Sequence, residues 1–160
     1  MHQLFEHDLK DLYYAEGQVL KAVQKMSKET KNDTLREAFE QLSNHAKKDA
    51  ERLHEVFTMI DQPVRGQKCP GILGIIEEKK EFASEKPTPE ILDLFNLTTA
   101  VKAKRYEISA YEALIDNAKK HGMTEVMPKL EQNLGEEEES LDRIKSLISN
   151  YPTSTAASAM

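Results

Sequence analysis

The chain has 160 residues, 39% of them apolar and 31% charged, and a formal net charge of −6 from 22 basic and 28 acidic side chains. This balance gives a folded domain with a charged surface; it excludes a disordered chain and a basic nucleic-acid-binding face. No apolar run approaches the roughly 18 residues of a membrane span, the opening MHQLFEHDLK lacks the basic-then-apolar pattern of a signal peptide, and the one cysteine, Cys69, leaves no disulfide framework or thiolate-rich zinc site. The expectation is a soluble, cytoplasmic domain with neither a nucleic-acid nor a membrane partner.

Gly and Pro are absent from Gln18 to Gln62 and from Glu90 to His121, two stretches rich in strong helix formers. A first helix is expected from about His2 to Glu29, with Phe5, Leu9, Leu12, Val19, Leu20 and Val23 on one face. Lys31–Thr34 reads as a turn, with Asn32 or Asp33 as N-cap. The second helix carries Leu35, Phe39, Leu42, Ala46, Asp49, Leu53, Val56 and Ile60 in steps of three and four, and should end near Asp61, before Pro63. Residues 61–89 are broken by Pro and Gly into a loop, a short helix near Ile72–Ser84 and a Lys-Pro-Thr-Pro turn. The third long helix spans Pro89–Lys120 and closes at His121-Gly122. The fourth spans Thr124–Asn150, with the seam Val126, Leu130, Leu134, Glu137, Leu141, Ile144 and Ile148, and Pro128 in its first turn. The tail TSTAASAM should fray. Residues 1–150 thus form one domain and 151–160 a C-terminal tail.

The connector lengths set an expected topology. Tight turns join the first two and the last two long helices into antiparallel hairpins, and about 28 residues join the hairpins, enough to travel the length of a bundle. The fold class expected is all-α, a ferritin-like four-helix bundle whose long crossover carries a short helix.

Function is carried by polar residues on apolar stripes, since a buried charge is costly unless paired or bound to metal. Glu16 lies at the centre of the first stripe, Asp49 in the second seam, Glu137 in the fourth, and Glu107 at the edge of the third. His45 sits one turn before Asp49. Glu16 and Asp49 are 33 residues apart, Glu107 and Glu137 30, so each pair should sit at similar depth in its hairpin. Hard oxygen ligands from facing helices with a nearby histidine suit iron or manganese. The bland alternative is that the acids pair with Lys104 and Arg105 and set register. The two readings differ in titration: unpaired converging carboxylates titrate high, salt-bridged ones low. The step Glu51-Arg-Leu-His54 matches the Glu-x-x-His signature of di-iron bundles, but points away from the stripe and reads as surface. In the acidic run Gly135–Glu139 only Glu137 faces inward, Cys69 reads as packing, and Tyr13, Tyr106 and Tyr111 as core or rim.

The stretches LFEHDLKDLYYAEGQVLKAVQKM, AFEQL, AERLHEVF, GQKCPGILGIIEE, KRYEISAYEAL and LEQNLGEEEESLDRI, in that order, resemble the bacterial YciE/YciF family of ferritin-like, stress-associated proteins over nearly all of residues 3–148. The resemblance implies a commonly dimeric four-helix bundle with a dinuclear metal centre. Glu16, Glu107, Glu136 and Glu137 match family acids; Asn44 and His45 stand where the family carries a Glu pair, and Asp49 where it often carries His or Gln. The metal ligands expected are therefore Glu16, His45, Asp49, Glu107, Glu136 and Glu137, holding iron or manganese in a homodimer, with O2 or peroxide reduction as the chemistry. The alternative is a metal-free structural or partner-binding dimer with a decayed site. Iron storage in a cage is a weaker reading, because no fifth helix follows Asn150.

Overall fold

A computed structural model describes the chain from His2 to Pro152; the tail TSTAASAM lies outside the described residues. Those residues form five helices and no strand: α1 His2–Glu29, α2 Asp33–Met59, α3 Pro70–Ser84, α4 Pro89–Lys120 and α5 Met127–Ser149. The ranges of α1 and α4 are those expected from the sequence. Asn32 caps α2, its side chain accepting from the Leu35 amide at 3.1 Å, and Thr88 caps α4 on the Ile91 amide.

Three ends differ from expectation by two residues or more, each for a local reason. α2 stops at Met59 because Asp61 turns left-handed (φ 56°) and the Gln62 amide closes back on the Phe57 carbonyl at 2.9 Å. α3 begins at Pro70, two residues early, since proline's missing N–H costs nothing in a first turn. α5 begins at Met127 and not at Thr124: Thr124–Val126 form a turn that buries Val126, and Pro128 opens the helix behind it. Gly122 (φ 68°) ends α4, with the Met123 amide donating to the Ala118 carbonyl at 2.9 Å.

The apolar residues gather into two clusters at opposite ends of the helices. One joins Phe5, Leu9 and Leu12 of α1 to Leu53, Val56 and Phe57 of α2, Leu114 and Ala118 of α4, and Leu130 of α5. The other joins Val19, Val23 and Met26 of α1 to Leu35 and Phe39 of α2, Leu97 and Ala100 of α4, and Ile144 of α5. Each cluster therefore combines the start of α1 and α5 with the end of α2 and α4, or the reverse. α1 and α5 run one way and α2 and α4 the other. α1 packs on α2 and α4, α5 packs on α2 and α4, and α3 covers α1 and α4.

Because α2 and α4 run the same way, the chain must return along the full length between them. It does so over residues 60–88, tied to α1 by the Gln67 amide donating to the Lys10 carbonyl at 3.1 Å and by the Lys79–Glu29 ion pair. Gly71 lets this return lie flat on α4, since a Cβ there would meet Tyr106 Cε2 at 2.8 Å.

Candidate metal centre

Between the two apolar clusters lies a layer of buried polar side chains: Glu16 from α1, Asp49 from α2, Lys104 and Glu107 from α4, Asn133 and Glu137 from α5, all within 1% of full burial. Tyr111 closes the layer on the α4 side, donating from its hydroxyl to Glu16 Oε1 at 2.7 Å. Asn133 Nδ2 donates both to that hydroxyl (3.1 Å) and to the Asp49 backbone carbonyl (3.0 Å). Four helices, α1, α2, α4 and α5, are thus held in register by hydrogen bonds that join Glu16 and the Asp49 backbone through Tyr111 and Asn133.

Glu16, Asp49 and Glu137 each offer a carboxylate oxygen, and these atoms lie within 4.8 Å of one another. Glu16 Oε2, Asp49 Oδ2 and both oxygens of Glu107 and Glu137 have no hydrogen-bond partner among the described residues. Orphaned buried oxygens are rare because each forfeits its solvation. The Lys104 ammonium stands beside them, 2.9 Å from Glu137 Oε2 and 3.5 Å from Glu107 Oε1. These are ion-pair distances without the alignment of a hydrogen bond.

The charges act accordingly. Burial, then the charges of Glu107, Glu137 and Asp49, hold Glu16 well above the ordinary carboxylate range. Burial and Glu137 push Asp49 up to about 10 and Glu107 up to about 7. Burial by itself would discharge Lys104, but Glu107, Glu137 and Glu16 outweigh it and keep the ammonium protonated beyond its usual range. Burial, then Glu16, raises the Tyr111 phenol. At the rim, Arg52 Nη1 bonds Glu136 (2.6 Å), Asn133 Oδ1 (3.0 Å) and Asp49 Oδ1 (3.2 Å), and holds Glu136 low in spite of its partial burial. The metal-free layer keeps one buried cation and relieves the remaining repulsion by protonating acids. Hard oxygen donors converging from separate helices with unfilled lone pairs fit a divalent cation such as iron or manganese.

The chain matches, over residues 1–157, the family described as a domain of unknown function, DUF892. It belongs to that family. It is 28% identical to protein YciF of Escherichia coli K12 over 151 residues, 94% of this chain and 91% of that protein. Two solved structures are similar over more than nine-tenths of their length. YcfI of Rhodopseudomonas palustris, which carries the description of a candidate structural protein, has a TM-score of 0.87 at 34% identity, covering 91% of this chain and 92% of its own. The E. coli stress protein YciF has a TM-score of 0.87 at 28% identity, covering 94% and 95%. The resemblance to YciF drawn from sequence motifs is met in both sequence and fold.

Within this DUF892 chain, four of the six residues expected as ligands enter the buried layer: Glu16, Asp49, Glu107 and Glu137. His45 and Glu136 do not. His45 is half-buried, with Nδ1 3.2 Å from the Ser140 hydroxyl, and Glu136 is engaged by Arg52. Glu51 and His54 are exposed, as their helical phase requires, and so are Glu138 and Glu139. Arg105 is also exposed, so of the two counterions weighed for the inward acids only Lys104 reaches them. Cys69 is buried, its Sγ 2.8 Å from the Tyr106 hydroxyl, which donates to Asp11 at 3.1 Å.

Asn133 and Ser140 were not singled out by the sequence reading, and Lys104 was placed beside the stripe and not in it. A signal existed for two of them. Leu97, Ala100, Lys104, Glu107, Tyr111, Leu114 and Ala118 follow one another in steps of three and four, a complete heptad seam with Lys104 inside it. Leu130, Asn133 and Glu137 do the same in α5, whereas the Leu134 chosen for that seam is only partly buried.

Proposed function

We propose that this chain is a ferritin-like metal protein in which α1, α2, α4 and α5 form a four-helix bundle, α3 rides on the crossover, and the mid-bundle acids hold iron or manganese. The observation that carries the reading is the triad Glu16, Asp49 and Glu137, three carboxylates from three helices with ligand atoms within 4.8 Å and at least one orphaned oxygen each. Glu107 borders the same space from α4. Bound there, iron or manganese would supply a redox-active centre with open positions for O2 or peroxide, in keeping with the stress-protein description of the relative YciF.

The chain's own residues do the positioning. Tyr111 of α4 orients Glu16 of α1, Asn133 of α5 ties Tyr111 to the Asp49 backbone, and Arg52, one turn along α2, holds the Asp49 carboxylate from the rim. The apolar clusters above and below shield the layer from water along the bundle axis. The protein acts as a cytoplasmic homodimer in this reading.

A second reading is favoured by one observation, the Lys104 ammonium already inside the acids. In it the layer is a register device of a metal-free structural dimer, in line with the description of the R. palustris relative. Elemental analysis of protein purified without chelator separates the two. Near-stoichiometric iron or manganese supports the metal site, and background levels after aerobic loading with either ion overturn it.

A further inference from the structure

The polar layer holds two positions for positive charge, and they share one carboxylate. The first is framed by Glu16, Asp49 and Glu137, whose oxygens converge within 4.8 Å. The second lies between Glu107 and Glu137, and the Lys104 ammonium stands in it at 3.5 and 2.9 Å from their oxygens. We propose that Lys104 is a resident cation occupying the second position, so that the centre takes one divalent ion where a dinuclear centre would take two. The inference rests on the metal-site reading and refines it.

Three observations converge on this assignment. Lys104 is 1% exposed although its long side chain begins on a helix with exposed faces on either side, at Lys102 and Arg105. A lysine usually snorkels its ammonium to water; this one turns inward, and only a concentration of negative charge repays that burial. Next, the Nζ is shared between two carboxylates on different helices, 2.9 Å from Glu137 Oε2 and 3.5 Å from Glu107 Oε1. Finally, Glu107 borders the triad beside Glu16 without joining it: its oxygens are not among the three that converge, and the cation nearest to it is the ammonium.

Net charge alone does not choose between one ion and two, but room beside the ammonium does. Four acids (Glu16, Asp49, Glu107 and Glu137) with Lys104 and one divalent ion leave the layer at −1. A second divalent ion would bring it to +1 and would share Glu107 and Glu137 with an ammonium already in contact range of both. Glu137 then bridges: Oε2 faces the ammonium and its partner oxygen is free for the ion.

The test uses manganese as probe. Metal-free full-length protein is titrated with Mn2+ by calorimetry, with the bound ion read by electron paramagnetic resonance. The parent should take one Mn2+ per chain and show the spectrum of an isolated ion. Lys104→Met should take two and show spin coupling between them, while Lys104→Arg, which keeps the charge, should stay at one. Two coupled ions in the parent would overturn the role of Lys104 and leave the metal site standing. One ion in both the parent and Lys104→Met would do the same. No binding by the parent would overturn the metal-site reading and this inference with it. If Lys104→Met does not fold, Lys104→Gln replaces it, and the parent's stoichiometry decides by itself whether a second ion is excluded.

Discussion

At the two ends of the helices the inward positions carry Phe5, Leu9, Phe39, Leu53, Leu114 and Leu130; midway along them the same kind of positions carry Glu16, Asp49, Lys104, Glu107, Asn133 and Glu137. Burial is equal in the two regions, yet what burial does to the free energy is opposite. At the ends, each apolar side chain gains by leaving water, on the order of 2 kcal/mol per large residue. In the middle, burial raises the pKa of Glu16, Asp49 and Glu107, and six carboxylate oxygens of these three acids and Glu137 are left without partners among the described residues. A region that costs stability in the metal-free chain, yet is fixed in register by Tyr111 and Asn133, is where the proposed ion would offset that cost.

The comparison breaks most visibly at the ends. Phe39 is fully buried against Val23, Leu35 and Ile144 in one apolar cluster, so Phe39→Ala should destabilise the protein by about 3–5 kcal/mol in urea unfolding, through lost transfer energy and a residual cavity. A loss under about 1 kcal/mol would mean that the cluster is not a packed core.

The middle should answer to pH. Glu107 titrates near 7 in the folded metal-free chain against an ordinary 4.5, so the unfolded chain releases its proton first. The stability associated with the protonated group is fully present below about pH 4.5 and is lost as pH rises through 7, a loss on the order of 3 kcal/mol. Asp49, raised to about 10, extends the decline into alkaline solution. Thermal melts of metal-free protein should fall between pH 5 and pH 8, and Glu107→Gln should flatten that slope. A melting temperature that climbs over the same interval would show that the acids are salt-bridged.

Two conservative changes sharpen the contrast within the layer. Glu16→Gln removes a carboxyl whose charge is opposed by burial and by Glu107, Glu137 and Asp49, and should stabilise the metal-free protein at pH 7 by about 1–3 kcal/mol. Glu137→Gln removes the partner 2.9 Å from Lys104 and should destabilise by a similar amount, since it leaves a buried cation short of its counterion. Denaturation of the two variants side by side should give opposite signs; the same sign for both would mean that Lys104 does not discriminate between these acids.

How much of this was open to the sequence depends on the physics of each position. Helix spans read well where breakers are absent: α1 and α4 were placed to the residue. Ends set by hydrogen bonds read less well, as with Asp61, whose left-handed turn nothing in its identity requires, and Thr124–Val126, where turn and first helical turn have the same composition. The inward acids were legible because charge on an apolar stripe is conspicuous. Lys104 was not, because a lysine near a stripe normally reaches water, and it takes Glu107 of its own helix together with the acids converging from α1 and α5 to hold it inside. Glu136 was drawn in by family likeness and His45 by lying one turn before Asp49; both sit at the rim, Glu136 one residue from the inward Glu137 and bonded to Arg52, and His45 against the Ser140 hydroxyl.

The smallest effect belongs to the outer face. Glu51 and His54 carry the spacing of a metal motif but are exposed, so Glu51→Ala should stay within about ±0.5 kcal/mol of the parent in urea unfolding and leave metal content unchanged. Lost metal in that variant, with metal retained in Asp49→Ala, would reverse the assigned face of α2.

The central claim, that the charged layer exists to hold a divalent ion, is tested most directly by the melting temperature of the metal-free protein at pH 8 with and without excess Mn2+. An ion that binds only the folded chain stabilises it by mass action, by about 2.7 kcal/mol at one hundred times the dissociation constant. The parent should melt several degrees higher with manganese, and Asp49→Asn, which removes one corner of the triad, should lose most of that shift. Identical melting of the parent with and without the ion would contradict the claim.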